Sequence, residues 1–504
     1  MPAAKGQQEL LTRMRSVIRR HRHEVAVREP GGTWTYHRFE ESVAALHRAL
    51  GGRANVPGEP IGLLLERSAT AYAAMWSALS LGRTYVPLNP SYPASRLSQL
   101  MAQAGVRDVV CTSMTSATAG ELGVVGDRLI VSDDLEPARS EDVEAVWQAT
   151  AGSDVAYMLF TSGSTGRPKG VPISFANLLA FVDGMGATIP LRPADVCSQV
   201  CELSFDFSVH EIYLALLNGC TLCPARSIDL FNPVDYVARN GLTVWVAVPS
   251  LARVVLEGAS PVGDQLTSLR LSIFNGEALT ARLAADWRTA APNSAIWNTY
   301  GPTECTVAAT HQVWTGEDDL HEADVIAIGT PLPTCVAAID DDGAVVPTSA
   351  ADDGMTGELL LAGPQRFSGY LDPDLPSPFL TEGDVTWYRT GDRVRWRDGR
   401  LYHLGRFDHQ VKIGGHRIEL LEVEHRLRHA IGTDSLAVIA HPRTRPTELV
   451  VFVTGTAPDA VTADETGLPN YMLPRRVLAV RSLPTNSHGK LSREALHRLA
   501  EARG

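Results

Sequence analysis

The stretch LFTSGSTGRPKGV, from Leu159 to Val171, is a polar, glycine-containing loop that directly follows the apolar run VAYMLF. Glycine loses more backbone freedom on folding than any other residue, so such a loop usually allows a close approach to the backbone. Exposed N–H groups, hydroxyls and the ammonium of Lys169 together suit a phosphate group. The loop is not a Walker A motif, because Arg167 and Pro168 separate Gly166 from the lysine.

A flexible linker is the alternative interpretation of this composition. The sequence after the loop argues against it, since VPISFANLLAFV (171–182) is typical of a strand followed by a helix that begins near Ser174. The loop is therefore predicted to be a phosphate-binding segment held between regular elements.

Further out, apolar strand-like runs alternate with helix-like segments through most of the chain. EPIGLLLE (59–66), ATAYAAMWSALSLG (69–82) and GLTVWVAVP (241–249) are examples. This alternation predicts an α/β fold with largely parallel, buried strands. Past residue 325 the runs are shorter and broken by Gly, Asp and Pro, as in GELLLAG (357–363), which predicts a more antiparallel β segment.

The length of 504 residues is too great for one hydrophobic core, so two or more domains are expected. We predict a boundary at Asp408, because an amphipathic helix begins near Glu419 after a glycine-containing stretch. The predicted domains are 1–407 and 408–504. The segment APDAVTADETGLPNYMLP (457–474) is predicted to be a surface excursion.

The net charge of −12 argues against nucleic-acid binding, which normally needs a basic face. No apolar stretch approaches the roughly 18 residues of a membrane span. The N-terminal 27 residues lack a signal core and predict an amphipathic surface helix, with membrane contact through its arginines as the alternative.

The seven cysteines are scattered along the chain. Cys220 and Cys223 have CxxC spacing, but no second ligand pair for zinc lies near them, and their apolar run does not suit a redox site. We predict two buried thiols in a reducing, cytoplasmic protein.

Two further stretches combine several polar groups at the end of an apolar run. NTYGPTE (298–304) offers an aromatic ring, hydroxyls and a carboxylate where ligands of open α/β sheets usually bind. The Thr–Glu pair suits phosphate and magnesium, although a simple turn would have a similar composition. The aspartate that ends YRTGD (388–392) could bind ribose hydroxyls or cap its own turn.

The ordered set of motifs resembles the adenylate-forming enzymes, which include nonribosomal-peptide adenylation domains, acyl-CoA ligases and luciferases. The motifs are GRTYVPLNPSYP, LFTSGSTGRPKGV, SFDFSVHEI, NTYGPTE, GELLLAG, YRTGD, GRFDHQVKIGGHRIE and SHGK. The resemblance covers nearly the whole chain. It implies a large N-terminal domain of two packed α/β subdomains plus a small β-barrel, and a small mobile α+β C-terminal domain.

The resemblance also implies the chemistry: an acid is activated with ATP and Mg²⁺ to an acyl-adenylate, and the acyl group then passes to a thiol. It assigns the following residues to ATP binding: Thr161, Ser162, Gly163, Ser164, Thr165, Gly166, Lys169, Gly276, Glu277, Ala278, Asn298, Tyr300, Asp392 and Arg406.

Particular roles follow from the family pattern. Asn298 would bond the adenine amine and Tyr300 would stack on the ring, while Asp392, assisted by Arg406, would hold the ribose hydroxyls. The catalytic residues would be Thr303 at the α-phosphate, Glu304 as the magnesium ligand, and Lys490, which would neutralise charge in the transition state. Asp408 would be the hinge between the domains.

Two residues depart from the family pattern. Gly414 stands where many relatives have arginine, and His488 stands where asparagine is usual. Neither change removes a catalytic group. The first lies where relatives contact the pantetheine arm, so it bears on the acceptor.

By the same resemblance, Asp206 in FDFS binds the α-ammonium of an amino acid. The pocket is assigned to Asp206, Phe207, His210, Val246, Ile273, Asn275, Thr299, Val307 and Ala308. Phe207 and His210 would crowd one side, which favours a small or medium side chain. His210 and Asn275 offer polar contacts to a group able to hydrogen bond.

NTYGPTECTVAAT, TVWVAVPSLARVVL and FNGEAL are also similar to the D-alanine–carrier-protein ligases, although those enzymes typically have cysteine at position 275 and methionine at position 210. Since no carrier domain follows Lys490, we expect a free-standing enzyme that loads a separate phosphopantetheinylated carrier protein with an amino acid. The alternatives are D-alanine as the substrate, CoA as the acceptor, and a degenerate adenylate-binding module without catalysis.

Overall fold

The structure is a computed structural model. It describes residues 2–52, 58–148, 150, 152–162, 167–258, 263–316, 325–408, 410–433, 435–484 and 491–503, with side chains from residue 5 onward. Gly163, Ser164, Thr165, Gly166 and Lys490 lie outside the described residues.

Helices in the described part of the chain are α1 (Pro2–His21), α2 (Tyr36–Gly51), α3 (Ala69–Ser80), α4 (Ala94–Ala104), α5 (Ser116–Glu121), α6 (Ser140–Val146), α7 (Phe175–Thr188), α8 (Phe207–Leu217), α9 (Pro233–Asn240), α10 (Pro249–Glu257), α11 (Ala281–Ala290), α12 (Leu420–Ile431), α13 (Ala463–Thr466) and α14 (Arg493–Glu501).

The strands are β1 (Val25–Glu29), β2 (Gly32–Thr35), β3 (Ile61–Leu64), β4 (Tyr85–Pro87), β5 (Asp108–Cys111), β6 (Leu129–Val131), β7 (Val155–Thr161), β8 (Lys169–Ser174), β9 (Val196–Gln199), β10 (Thr221–Pro224), β11 (Val244–Ala247), β12 (Leu271–Phe274), β13 (Ala295–Tyr300), β14 (Thr310–Trp314), β15 (Thr330–Pro331), β16 (Val336–Asp341), β17 (Ala344–Pro347), β18 (Thr356–Ala362), β19 (Phe379–Glu382), β20 (Val385–Arg397), β21 (Arg400–Arg406), β22 (Gln410–Ile413), β23 (His416–Glu419), β24 (Leu436–His441), β25 (Glu448–Thr454) and β26 (Arg476–Val480).

Two large sheets carry most of the parallel strands. The nine-stranded sheet has the order β15-β14-β13-β12-β11-β9-β10-β1-β2, and its six strands from β13 to β1 run parallel. The second sheet has the order β6-β5-β3-β4-β7-β8, with parallel pairing from β6 to β7. The predicted α/β class with buried parallel strands is confirmed.

A third sheet is antiparallel, in the order β17-β16-β18-β20-β19 with β21 paired to β20. It lies where the shorter, broken runs predicted antiparallel structure. The predicted small β-barrel corresponds to this sheet.

One hydrophobic core joins the two parallel sheets. Its members include Leu63 and Val110 from one sheet, Leu222 and Ile273 from the other, and Trp76 from α3. The helices α3, α7 and α8 are apolar on nearly every side because each is buried between layers rather than on the surface. This burial fixes α8, which carries three of the predicted pocket residues at or beside its first turn.

The chain divides into two compact units. Unit 1 comprises 1–90, 101–159 and 170–407, and unit 2 comprises 91–100, 160–169 and 408–504. Within unit 2, the pair β22–β23, the sheet β24-β25-β26 and helix α12 surround a separate apolar core. The division of the chain into domains 1–407 and 408–504 stays a prediction.

Local expectations had mixed outcomes. Helix α7 begins at Phe175 with Ser174 as its N-cap, and α12 begins at Leu420, as predicted. The surface excursion predicted for 457–474 is wrong in its second half, because Leu468 and Met472 are fully buried in the core of unit 2, while residues 457–465 are exposed or half-buried. Turn-forming residues surround these two side chains in the sequence, so the local composition predicts a loop rather than a buried segment.

The N-terminal helix is amphipathic, as predicted. Its buried stripe of Leu10, Leu11, Met14 and Ile18 belongs to the main core, so this face is already covered by protein. Cys220 and Cys223 are buried free thiols, and burial raises the pKa of Cys223 to about 12. Among the described helices, none combines the length and apolar character needed to cross a bilayer.

Candidate active site

Asp392 is the centre of a buried polar cluster in unit 1. The Tyr300 hydroxyl donates to its Oδ2 at 2.5 Å, and Arg406 Nη1 donates to Oδ1 at 2.7 Å. His403 Nε2 lies 3.1 Å from the same Oδ1. Burial and the adjacent carboxylate raise the pKa of Tyr300, so its phenol stays a donor. The sequence predicted three of these four residues for ATP binding, and the structure brings them together.

Asn298 and Tyr300 both lie on β13, at its carboxyl end. Asn298 is buried, and its Nδ2 donates to the Ala327 carbonyl at 2.9 Å, which fixes the orientation of the amide. The side-chain oxygen is thereby set to accept a bond from a donor such as an adenine amine. This arrangement agrees with its predicted role, which stays a prediction.

Thr303 and Glu304 lie in a short 3-10 turn just beyond β13, Thr303–Cys305. The Glu304 carboxylate is fully buried and accepts a bond of 2.9 Å from the Tyr370 hydroxyl. Mg²⁺ is commonly held by one or two carboxylates together with water and substrate phosphates, so a single ordered carboxylate fits it. No group of three or more potential metal ligands occurs within the described ranges.

The segment from 160 to 169 belongs to unit 2. The Ser162 hydroxyl donates to the Arg417 carbonyl at 2.9 Å and accepts from the Glu419 N–H at 3.0 Å. In this arrangement that hydroxyl is engaged by β23. Thr161 ends β7 and Lys169 begins β8, where its ammonium helps to lower the pKa of Glu419 against the stronger, opposing effect of burial. The assignment of this loop to phosphate stays a prediction.

Asp408, the predicted hinge, is exposed and its Oδ1 accepts from the Gln410 N–H at 3.1 Å. Gly414 and Gly415 both have positive φ in the turn between β22 and β23. Glycine at position 414 therefore suits the backbone, since φ of +58° disfavours the arginine of many relatives.

Asp206, Phe207 and His210 lie at the start of α8. Both ring nitrogens of His210 are buried and have no hydrogen-bond partner among the described residues. The rings of Phe207 and Phe181 contact it edge-on, with centroids 5.3 and 6.1 Å away. Burial lowers the pKa of His210 to about 3, so the imidazole is neutral and offers one donor and one acceptor.

Glu211 anchors the same helix. Its carboxylate accepts from the Val200 and Cys201 N–H groups at 2.7 and 3.1 Å, and from Gln199 Nε2 at 2.9 Å. These three bonds tie α8 to the segment that follows β9. Burial raises the pKa of Glu211 to about 8, although the three donors favour the charged form.

Val246, Ile273 and Thr299 lie near the carboxyl ends of the adjacent parallel strands β11, β12 and β13, with Val246 directly opposite Ile273. Ligands of open α/β sheets usually bind at this edge. Asn275 follows β12, and its Nδ2 donates to the Val307 carbonyl at 3.3 Å, while its Oδ1 accepts from the Gly276 N–H. Both polar atoms of the Asn275 side chain therefore bond to backbone groups.

Gly276, Glu277 and Ala278 follow directly. Gly276 has φ of +89°, a conformation suited to glycine. Glu277 Oε2 accepts from the Ser250 N–H at 2.8 Å, at the start of α10, and Ala278 is exposed. These contacts hold the turn after β12 in place.

Val307 and Ala308 are buried in the loop after Glu304. Thr306 and Val307 have φ of +55° and +73°, and two successive β-branched residues in this region are strained by roughly 1–3 kcal/mol each. Such strain persists only where surrounding contacts determine the backbone.

Sequence reasoning missed several residues that hold the predicted ones. Tyr370 bonds Glu304, His403 contacts Asp392, Glu211 fixes α8, and Gln365 bonds the loop of Val307. His403 stands on β21, where the register of β20 and β21 decides its neighbours. The pairing of these two strands places His403 beside Asp392, and no local pattern in the sequence indicates it.

Comparison with known proteins identifies the class. The profile of the AMP-binding enzyme family matches residues 14–371. The chain belongs to this family of enzymes. The recognition of an adenylate-forming enzyme from its motifs is confirmed.

Among curated relatives, the chain is 30% identical to the D-alanine–D-alanyl carrier protein ligase of Bacillus licheniformis, over 83% of this chain and 85% of that protein. It is 31% identical to the L-proline–[L-prolyl-carrier protein] ligase of Pseudomonas fluorescens, over 97% and 99% of the two chains. It is also 31% identical to surfactin synthase subunit 2 of Bacillus subtilis, over 94% of this chain, but spans only 13% of that protein's length.

A solved structure supports the same assignment. The Vibrio cholerae adenylation domain AlmE, in complex with glycyl-adenosine-5'-phosphate, superimposes with a TM-score of 0.87 at 27% identity, covering 98% of each chain. The overall fold of this chain is that of an adenylation domain.

Proposed function

We propose that this enzyme activates a small or medium amino acid to an aminoacyl-AMP and transfers it to the phosphopantetheine thiol of a carrier protein. The observation that carries the amino-acid part is Asp206, which directly precedes the apolar helix α8, four residues before His210. A carboxylate in such surroundings attracts the α-ammonium of an amino acid. Two relatives that resemble this chain over most of their length are named as aminoacyl carrier-protein ligases.

In the first step, a carboxylate oxygen of the amino acid attacks the α-phosphorus of ATP. The bond from that phosphorus to the bridging oxygen breaks, and pyrophosphate leaves with the electron pair. Tyr300, Asp392 and Arg406 are proposed to hold the nucleoside, with Asn298 at the base. Lys490 is proposed to neutralise the developing charge, as the sequence predicts.

Glu304 is the proposed magnesium ligand. When bound, Mg²⁺ would neutralise phosphate charge. The Tyr370 hydroxyl, at 2.9 Å from Oε1, fixes the direction of the carboxylate. In the second step the carrier thiolate attacks the acyl carbonyl, and AMP leaves as the new thioester forms.

His210 supports a substrate with a polar side chain. A neutral imidazole with two unsatisfied nitrogens, among the described residues, gains most from a ligand that can donate or accept a hydrogen bond. Serine, threonine and similar small hydroxyl-bearing amino acids fit this requirement.

D-Alanine is the second candidate. The bonds of Asn275 to Val307 and Gly276 mean that this amide needs no polar partner from the substrate. A methyl side chain is therefore compatible with the pocket floor.

ATP–pyrophosphate exchange with a panel of L- and D-amino acids tests these proposals. We expect exchange with a small amino acid, and a preference for a hydroxyl-bearing one over its hydrocarbon isostere. If exchange is fastest with D-alanine, D-alanine replaces a hydroxyl-bearing amino acid as the proposed substrate. Exchange with no amino acid would overturn the proposal in favour of another acid or a binding module. In a separate transfer assay, formation of a CoA thioester in place of a carrier-protein thioester would overturn the proposed acceptor.

A further inference from the structure

Two buried side chains from other parts of the chain bond the loop that carries Val307 and Ala308. Asn275 donates to the Val307 carbonyl at 3.3 Å, and Gln365 makes the larger number of bonds. Gln365 is fully buried, in the segment just after β18. Its Nε2 donates to the Ala308 carbonyl at 2.7 Å and to the Cys305 carbonyl at 3.2 Å. The amide thus bonds backbone on both sides of the strained pair Thr306–Val307.

A second bond runs in the opposite direction. The Thr306 hydroxyl, which is also fully buried, donates to the Gln365 carbonyl at 2.6 Å. Left-handed backbone at a threonine and a valine is unfavourable by itself, so it needs contacts that hold it. These reciprocal bonds are the ones that join the turn to the segment after β18. Without them the loop is expected to relax toward ordinary φ values and to move both side chains.

Gln365 is in turn fixed by its surroundings. Its Oε1 accepts from the Thr334 hydroxyl at 2.5 Å. Helix α7 packs against this pair at Gly184, where an added Cβ would lie 2.2 Å from Thr334 Oγ1 and 3.2 Å from Gln365 Oε1. The amide therefore has a single orientation, with both of its hydrogens directed at the loop.

We infer that Gln365 is a positioning residue for substrate specificity, which acts by holding the left-handed turn that presents Val307 and Ala308. This inference rests on the proposed function, in which those two residues line the amino-acid pocket. The magnesium side of the loop is held separately, because Glu304 is bonded by Tyr370 and by the Phe367 N–H. Loss of the Gln365 amide should therefore disturb the choice of amino acid more than the use of ATP.

The test compares Gln365→Met with Gln7→Met. Gln7 is a matched control, since it is a buried glutamine of unit 1 whose Nε2 donates to two carbonyls, Leu79 at 2.8 Å and Ser80 at 3.1 Å, far along the chain from the loop. The kcat/KM for pyrophosphate exchange is measured for the preferred amino acid and its neighbours in the panel. A second measurement is the KM for ATP.

For Gln365→Met we expect the ratio of kcat/KM for the best amino acid to kcat/KM for the next best to fall about tenfold. The KM for ATP should be nearly unchanged. Gln7→Met should lower stability without altering the preference. A general loss of stability would reduce the exchange activity with every amino acid by the same factor and leave the preference unchanged. An unchanged preference in Gln365→Met would therefore overturn the inference.

Thr306→Val provides an independent check if Gln365→Met fails to fold. It removes the reciprocal hydroxyl bond while keeping the shape of the side chain, and should reduce the preference about threefold. An unchanged preference in this variant would also count against the inference. Failure of the proposed function is distinguishable, because the wild-type enzyme would then exchange with no amino acid.

Discussion

The buried imidazole of His210 makes stability depend on pH. Its pKa is lowered from 6.5 to about 3 in the folded protein, so below pH 6.5 the unfolded chain takes up a proton that the folded chain does not. The neutral imidazole therefore contributes to the free energy of unfolding at neutral pH, and this contribution is lost as the pH falls. Between pH 6.5 and 5 the loss is about 2 kcal/mol.

We expect His210→Leu to flatten this dependence. Urea unfolding at pH 6.5 and 5 should show a free energy of unfolding that falls about 2 kcal/mol less in the variant than in the wild type. Equal falls in the two proteins would show that the imidazole titrates normally in the folded state.

Asp206 is the residue on which the choice of substrate class depends. In Asp206→Asn the bound ammonium would lose its counter-charge, at a cost of about 3–5 kcal/mol. We expect amino-acid-dependent pyrophosphate exchange to disappear while ATP binding, followed by calorimetry, remains. Full activity in this variant would favour a β-amino acid or an acid without an amino group.

At the scale of elements, the pair β20–β21 places Asp392 opposite Arg406. Arg406→Met removes the guanidinium that lies 2.7 Å from this buried carboxylate, and we expect the free energy of unfolding to fall by about 3 kcal/mol. The affinity for ATP should fall as well.

Arg389→Met is the control, on β20, the strand that carries Asp392. Arg389 pairs with Asp340 and Glu358, but its side chain is 44% exposed, so its loss should cost at most about 1 kcal/mol. Chemical denaturation of both variants measures the difference. If both variants lose the same free energy of unfolding, the buried ion pair of Asp392 and Arg406 contributes no more to stability than the exposed pairs of Arg389.

Elements with local signals were predictable from the sequence. Ser174 accepts from the Asn177 N–H and so begins α7, which is a relation between residues three apart. Leu468 and Met472 were missed, because their burial is decided by β24, β25 and α12 rather than by their neighbours in sequence. The same limit applies at the site, where residue types predicted Asp392 and Tyr300 but not the bond between them.

For the whole molecule, the main functional prediction concerns Lys490, which lies outside the described residues. We expect Lys490→Ala to slow adenylate formation roughly a hundredfold or more, as for loss of one donor to a developing charge. Transfer from preformed aminoacyl-AMP to the carrier thiol should suffer less. Equal losses in both half-reactions, measured separately, would contradict this role.

Unit 2 contains a buried ion pair between distant parts of the chain. Arg96 Nη1 lies 2.8 Å from Glu422 Oε1, with side chains 5% and 0% exposed. Arg96→Met should destabilise this unit by about 3 kcal/mol, and adding Glu422→Leu should restore much of the loss, because an apolar pair avoids the buried charge.

Hydrogen exchange of amides in β24 and β25 measures this change without relying on activity. If the double variant is as unstable as the single one, side-chain packing rather than charge determines the effect.

The strand order has a consequence for synthesis on the ribosome. Val27 of β1 pairs with Leu222 of β10, so the first hairpin of the chain borders a sheet made from residues translated much later. At ordinary elongation rates, on the order of ten seconds separate the synthesis of this hairpin from the synthesis of β10. The nascent chain therefore emerges with an unpaired strand edge, which favours aggregation. Stalled nascent chains should show protease-resistant residues 25–35 only after β10 has left the exit tunnel.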